Sequence, residues 1–292
     1  MTPKLLTDLP DARVFHCGWQ DLVAQVERVD CLIVDAPYSE RTHSAHDAGA
    51  QTATKASAWA ARAATSDVVR PNQVRERRYS AKGRADRAAL AYAFWTEDDV
   101  NAFVDTWSPK VTGWFVTLTD HVLAPAWEAA LREDKRMTFS PIACVEPGSR
   151  VRMVGDGPAQ WSCFAIVARP RHEPYSKWGA LPGAYVVPPG HNPRPMNGGK
   201  AVVGGKPIWL LDALVSDYSR PGDLVCDPCS GGGTTLAAAL RTGRRAIGCD
   251  IDPKHAAMSA EACRTATRPL IAPQSSGHYA ATSFEWAAET GT

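Results

Sequence analysis

Residues 224–252 read LVCDPCSGGGTTLAAALRTGRRAIGCDID, and the fold class turns on how this stretch divides. Leu224 to Asp227 is a short apolar run ending in a carboxylate, the pattern of a strand buried on both faces. Gly231, Gly232 and Gly233 follow, and a helix is expected from about Thr234. A second apolar run ends at Asp250, 23 residues after Asp227. Strand, turn, helix and strand in that order make a unit of a parallel sheet. Glycines let the backbone approach a ligand, and the unpaired N–H groups of the first helical turn face it. An acid at about that separation grips ribose hydroxyls in nucleotide-binding folds, so the unit suits an adenosine-containing cofactor. It is not a phosphate loop: no Lys-Ser/Thr pair follows the glycines, and Asp227 would repel a phosphate but suit a cation. A glycine cluster alone would serve equally as a tight turn.

Two other readings of the same stretch are weaker. Cys226 and Cys229 form a CxxC, yet no second Cys or His pair stands at zinc spacing, so no metal is expected. Pro228-Cys229 could supply a nucleophilic thiolate, but it lies inside the turn where a cofactor would cover it.

Working outward, strand and helix patterns alternate along much of the chain. Residues 13–16 and 31–35 read as strands around an amphipathic helix carrying Leu22, Val23, Val26 and Val29. FWTEDDVNAFVDTW, from residue 94, predicts a helix with an acidic first turn, followed by the strand GWFVTLTD and the helix APAWEAALRED. SPIACVE and WSCFAIVARP are strand candidates, and KPIWLLDALVSDYS, from 206, is a helix. The helix after Asp250 spans about 254–266. Two stretches break the pattern: residues 41–88 read as an insertion, and residues 169–206 carry seven prolines, too many for a regular core element. One domain over 1–268 and a loosely attached tail at 269–292 are expected.

Composition sets bounds on this reading. With 292 residues and 45% hydrophobic side chains, the chain can bury a sizeable core. It has no apolar run of about 18 residues and no secretory pattern at its start, so a cytoplasmic protein away from membranes is expected. The eight cysteines are scattered through apolar runs, as buried thiols rather than a disulfide framework. The net charge of +1 hides a segregation. Residues 41–88 hold ten Lys or Arg against four acids and residues 169–206 hold six against one, leaving −10 on the remainder. An acidic body with two basic segments is the footprint of a polyanion partner such as DNA. Arg75, Arg77, Arg78, Lys82 and Arg84 in the first segment, and Lys177, Arg194 and Lys200 in the second, are the candidate contacts.

Near the start, CLIVDAPYSE (31–40) delivers a carboxylate, a rigid proline and an aromatic ring to one strand end. In the family that this motif resembles, named below, the substrate is an exocyclic base amine, a poor nucleophile because its lone pair is delocalised into the ring. A carboxylate (Asp35) accepting one amine hydrogen, and a backbone carbonyl (Ala36) accepting the other, favour a pyramidal, reactive nitrogen. Pro37 braces the loop, and the Tyr38 ring offers a stacking surface to a base flipped out of the duplex, worth roughly 1–3 kcal/mol.

DAPY at 35–38, followed by KP…LL…PGDLVCDPCSGGGTT…GRRAIGCDIDP at 206–253, resembles the β-group of DNA amino-methyltransferases, in which Asp-Pro-Pro-Tyr precedes the S-adenosylmethionine motif. The resemblance implies an α/β, Rossmann-like, seven-stranded sheet in permuted order, with both motifs at the carboxyl ends of neighbouring strands. It implies that Asp227, Gly231, Gly233 and Thr234 hold the methionine part of the cofactor and Asp250 the ribose. Cys17, Gly18, Pro228, Cys229, Thr235 and Ile251 complete that set, with Lys206 and Pro207 at the helix closing the pocket. Residues 169–205 take the place of the target-recognition segment; so short a segment would suit a target of a few base pairs, or a homodimer. The setting implied is bacterial or phage, as in restriction-modification. Adenine-N6 is expected over cytosine-N4, whose enzymes usually carry Ser where Asp35 stands. Ala36 replaces the family's first proline, and Gly18-Trp19 replaces a Gly-Asp that contacts the adenine. A methyltransferase-like fold kept as a DNA-binding or regulatory module is the rival reading.

Overall fold

The computed structural model describes residues 1–43, 93–147, 160–172, 178–188 and 204–267. Most of both basic stretches, all eight candidate DNA contacts and the expected tail lie outside the described residues.

The glycine-rich unit forms as its pattern requires. Strand β9 (Leu224–Asp227) is buried throughout, helix α5 (Thr234–Arg241) follows the turn, and β10 (Arg245–Asp250) pairs parallel with β9. Helix α6 (Pro253–Thr265) starts where the Asp252 carboxylate accepts the N–H groups of Lys254 and His255, with Pro253 in the first turn, where a missing N–H costs nothing.

Earlier in the chain come β1 (Lys4–Leu9), β2 (Ala12–His16), α1 (Trp19–Leu22) and β3 (Cys31–Asp35). Next are α2 (Glu97–Trp107), β4 (Phe115–Thr119), α3 (Ala124–Glu133), β5 (Arg136–Thr138) and β6 (Ile142–Val145). Finally β7 (Ser162–Pro170), β8 (Ala184–Val186) and α4 (Ile208–Tyr218) lead into β9. Helix α2 is set by a capping box: the Asp99 N–H donates to the Thr96 hydroxyl oxygen and the Thr96 N–H donates to the Asp99 carboxylate.

The strands form one sheet in the order β1-β2-β10-β9-β3-β4-β7-β6-β8, with β5 beside β7. The run from β2 to β6 is the expected seven-strand path, parallel from β2 to β4 and closed by the antiparallel β7. Hairpin strand β1 and the three-residue strands β5 and β8 bring the total to ten. The order is permuted as expected: β3 lies against β9, with Cys31 opposite Val225 and Leu32 opposite Cys226.

Alternate side chains feed two apolar layers. Ile33, Val116 and Val225 pack under α4, α5 and α6, whereas Leu32, Phe115 and Cys226 pack under α1, α2 and α3. The second layer is rich in aromatics, with the Phe103 ring 5.3 Å from Trp95 and 5.7 Å from Trp127. All eight cysteines are free thiols. Among the described residues, no helix is long and apolar enough to cross a membrane.

One expected element is shorter than its pattern. The helix read across Leu22, Val23, Val26 and Val29 is a single α turn and a 3-10 turn, Val23–Gln25, after which Val26 is extended at φ −134°. Val29 bridges to Val111 as in a strand. All four still face the aromatic layer; β-branched residues reach it from extended backbone as readily as from a helix.

Candidate active site

Three strands deliver carboxylates to one end of the sheet. Asp35 ends β3, Asp227 ends β9 and Asp250 ends β10, and the charges of the outer two both act on Asp227 between them. This is the carboxyl edge at which ligands bind in open parallel sheets.

Asp227 is 1% exposed. Burial, then the charges of Asp35 and Asp250, push its carboxyl up to about 7, against the Thr235 hydroxyl and the Cys229 N–H (3.1 Å), which stabilise the anion. Among the described residues, no lysine, arginine or histidine pairs with it. A buried carboxylate so placed suits a cationic ligand and fits the ammonium and sulfonium end of S-adenosylmethionine.

The turn supplies space beside it. Gly231 has φ +51° and a Cβ there would meet no atom within 4 Å, so the backbone conformation requires glycine and the volume above it is open. Gly233, at φ +81°, is required for packing as well: its Cβ would lie 2.7 Å from the Ser259 Cα. Thr234 opens α5 directly after it. Asp250 accepts the Gly231 N–H at 2.9 Å and the Asp252 N–H at 2.8 Å, while burial raises its carboxyl. Its own carbonyl accepts the Cys17 N–H at 3.2 Å, which fixes the start of the 17–18 loop. Ile251 next to it is 62% exposed, an apolar surface beside the Asp250 carboxylate. Burial and then the Asp227 and Asp250 charges push the Cys229 thiol well up, which disfavours the thiolate that a nucleophile needs. The Pro228 carbonyl accepts the Cys249 thiol.

At the β3 end, Asp35 is one quarter exposed. The Tyr38 hydroxyl donates to it at 3.2 Å, and the Lys206 ammonium donates to both carboxylate oxygens at 2.8 Å. Lys206 is 9% exposed and stands 4.8 Å from the centre of the Tyr38 ring. The resemblance put Lys206 at the cofactor; here its ammonium lies on Asp35 and Tyr38, while Pro207 caps α4 behind it. Trp19, in the place of an adenine-contacting acid, turns to the aromatic layer, 5.1 Å from Phe103, and Gly18 caps α1.

The loop after β3 has an anchor that the sequence did not reveal. Asp120, directly after β4, accepts the Ser39 N–H at 3.1 Å and the hydroxyls of Ser39 and Thr42. Its only sequence signal is an acid after a strand, and its partners lie about 80 residues away.

A seven-strand path with an antiparallel penultimate strand, a glycine turn and acids at adjacent strand ends defines a Rossmann-like methyltransferase domain. Residues 71–261 match a family model described as DNA methylase, of the N6/N4 methyltransferase group, and the chain belongs to that family. The match takes in the glycine turn and Asp250 but begins downstream of Asp35. DNA adenine methyltransferase YhdJ of Escherichia coli K12 is 42% identical over 53 residues, 18% of either chain. Type II methyltransferase M2.DpnII of Streptococcus pneumoniae is 40% identical over 50 residues, 17% of this chain and 19% of the relative. The aligned stretches thus span about a fifth of these relatives' length. Among solved structures, the M1.HpyAVI–SAM complex superposes with a TM-score of 0.55 at 15% identity, over 86% of this chain and 98% of that one. PvuII DNA methyltransferase (cytosine-N4-specific) gives 0.58 at 13% identity, over 86% of each. At these identities the likeness is one of fold.

Proposed function

We propose that this protein transfers a methyl group from S-adenosylmethionine to an exocyclic amine of a DNA base, with adenine-N6 as the preferred target. The observation carrying the reading is that Asp35 and Asp227 end neighbouring, hydrogen-bonded parallel strands, so that a base and a cationic cofactor can meet between them.

The cofactor supplies an electrophilic methyl group on a sulfonium centre. Asp227 holds the cationic methionine end, with Gly231, Gly233, Thr234 and Thr235 around it. Asp250 takes the ribose hydroxyls and Ile251 gives the adenine an apolar surface. On the base side, the target leaves the duplex and stacks on Tyr38. Asp35 accepts one amine hydrogen and the Ala36 carbonyl the other, which localises the nitrogen lone pair for in-line attack. The Lys206 ammonium already donates to both Asp35 oxygens, so the incoming amine takes over one of these positions. Arg75, Arg77, Arg78, Lys82 and Arg84 of the first basic stretch, and Lys177, Arg194 and Lys200 of the second, bind the DNA backbone.

Asp35 favours adenine over cytosine, and the name of the YhdJ relative leans the same way. Labelled S-adenosylmethionine and unmethylated genomic DNA test the transfer, with digestion to nucleosides and mass spectrometry to identify the base. N6-methyladenine is expected, with Asp35→Ala lowering the rate by about 100-fold or more. N4-methylcytosine would correct the target. Incorporation no greater than that of Asp35→Ala would overturn the enzymatic reading in favour of a DNA-binding module.

A further inference from the structure

Asp120 is 1% exposed and accepts five hydrogen bonds. One carboxylate oxygen takes the N–H groups of Val122 and Leu123, each at 3.0 Å, at the turn into α3. The other takes the Ser39 N–H and the Ser39 and Thr42 hydroxyls. Burial alone would raise this carboxyl, but the hydroxyls of Ser39 and Thr42 and the Leu123 and Ser39 N–H groups together hold it below its ordinary value. The anion therefore ties the end of β4 to the residue directly after Tyr38. The same loop is held from its other side, where the Trp95 N–H donates to the Tyr38 carbonyl at 3.1 Å.

Ala36 gives this loop a need for such a tie. A proline would pre-set its own φ and narrow the loop's conformations; an alanine leaves that to contacts made elsewhere. The Ala36 methyl is buried in the aromatic layer, which fixes the start of the loop but not its far end. Asp120 supplies the far end.

We propose that Asp120 is a positioning residue for the base-side loop: by clamping Ser39 and Thr42 to the end of β4, it sets where Tyr38 and Asp35 stand. This rests on the reading of Asp35 and Tyr38 as the groups that handle the target base.

The test removes the clamp from the loop side. Ser39→Ala/Thr42→Val deletes two donors and leaves the Asp120 contacts to Val122 and Leu123, so it spares the fold better than Asp120→Asn, which is measured beside it. A loss in kcat of about tenfold or more is expected, since small misplacements of reacting groups carry costs of that order. The dissociation constant for S-adenosylmethionine should hold within about twofold, far less than the loss in rate expected from misplacement. Thr42→Ser, which keeps the hydroxyl, should retain the wild-type rate. Amide exchange over residues 38–42, followed by mass spectrometry, should accelerate in the double variant. An unchanged kcat in both clamp variants overturns the proposal, as does a loss matched by equal weakening of cofactor binding. If the wild-type protein methylates no DNA, the functional reading fails separately; exchange then decides the clamp, and unaltered exchange over 38–42 removes it.

Discussion

Asp227 couples the site to pH. Its carboxyl sits at about 7 in the folded protein against 3.8 for an ordinary aspartate, through burial first and then the neighbouring acids. Between those values the folded chain keeps a proton that the unfolded chain has released, so the stability of the cofactor-free protein falls as pH rises across that window. Binding a cation calls for the ionised form, so cofactor affinity should rise with pH through about 7, by up to about tenfold per unit below it. Calorimetric titration at about pH 6 and 8 checks this, and Asp227→Asn should flatten the dependence. Lys206 separates two roles. If its work lies with Asp35 and Tyr38, Lys206→Met lowers methyl transfer by about tenfold or more and leaves S-adenosylmethionine affinity nearly unchanged. Weaker cofactor binding at an unchanged maximal rate would return Lys206 to the cofactor pocket. At this scale the sequence was readable wherever chemistry is packed into a few consecutive residues: Asp35 and Tyr38 fall in one tetrapeptide, Asp227 and the glycines in one turn. Asp120 was not, because an aspartate after a strand is common and only folding brings Ser39 and Thr42 to it.

The start of α5 shows how an element can be fixed by one residue without a side chain. Gly233→Ala places a Cβ against the Ser259 backbone at a φ that L-residues avoid. The backbone conformation alone should cost about 1–3 kcal/mol, and the contact adds to it by prising α5 from α6. Thermal melting measures the loss. Gly231→Ala meets no neighbour, so it should cost less, and a variant as damaged as Gly233→Ala would mean that the space above Gly231 is not open. Long periodic elements were legible from the pattern: α2, α3, α4 and α6 lie within a few residues of their expected spans. Strands β5 and β8 were not, since three residues carry no period and their pairing depends on β7 and β6. The α1 region misled because valines spaced as on a helix also fill a core from extended backbone, where the bridge from Val29 to Val111 decides the conformation.

Taken as a whole, the chain segregates its charge along the sequence. The described body carries the acid cluster of the site, whereas the basic surplus falls at 41–88 and 169–206, mostly outside the described residues. Neutralising Arg75, Arg77 and Arg78 together should weaken DNA binding evenly across sequences and shallow the slope of log K against log salt by about 3. A titration at several salt concentrations reads the slope, and an unchanged value would take that segment out of the interface. Sheet order was legible only through resemblance, because neither periodicity nor spacing tells which strands are neighbours. That order has a temporal side. Strand β3 lies between β4 and β9, and Cys31 and Val225 are paired across about 190 residues of chain. On the ribosome, β3 emerges with its carboxylate long before β9 exists, and one of its edges stays open, a hazard for pairing with other chains. A polypeptide stopped before residue 224 would hold Asp35 and lack the glycine turn altogether. On the proposed function, methyl transfer therefore waits on synthesis of residues 224–252, and translation interrupted before them yields fragments without it.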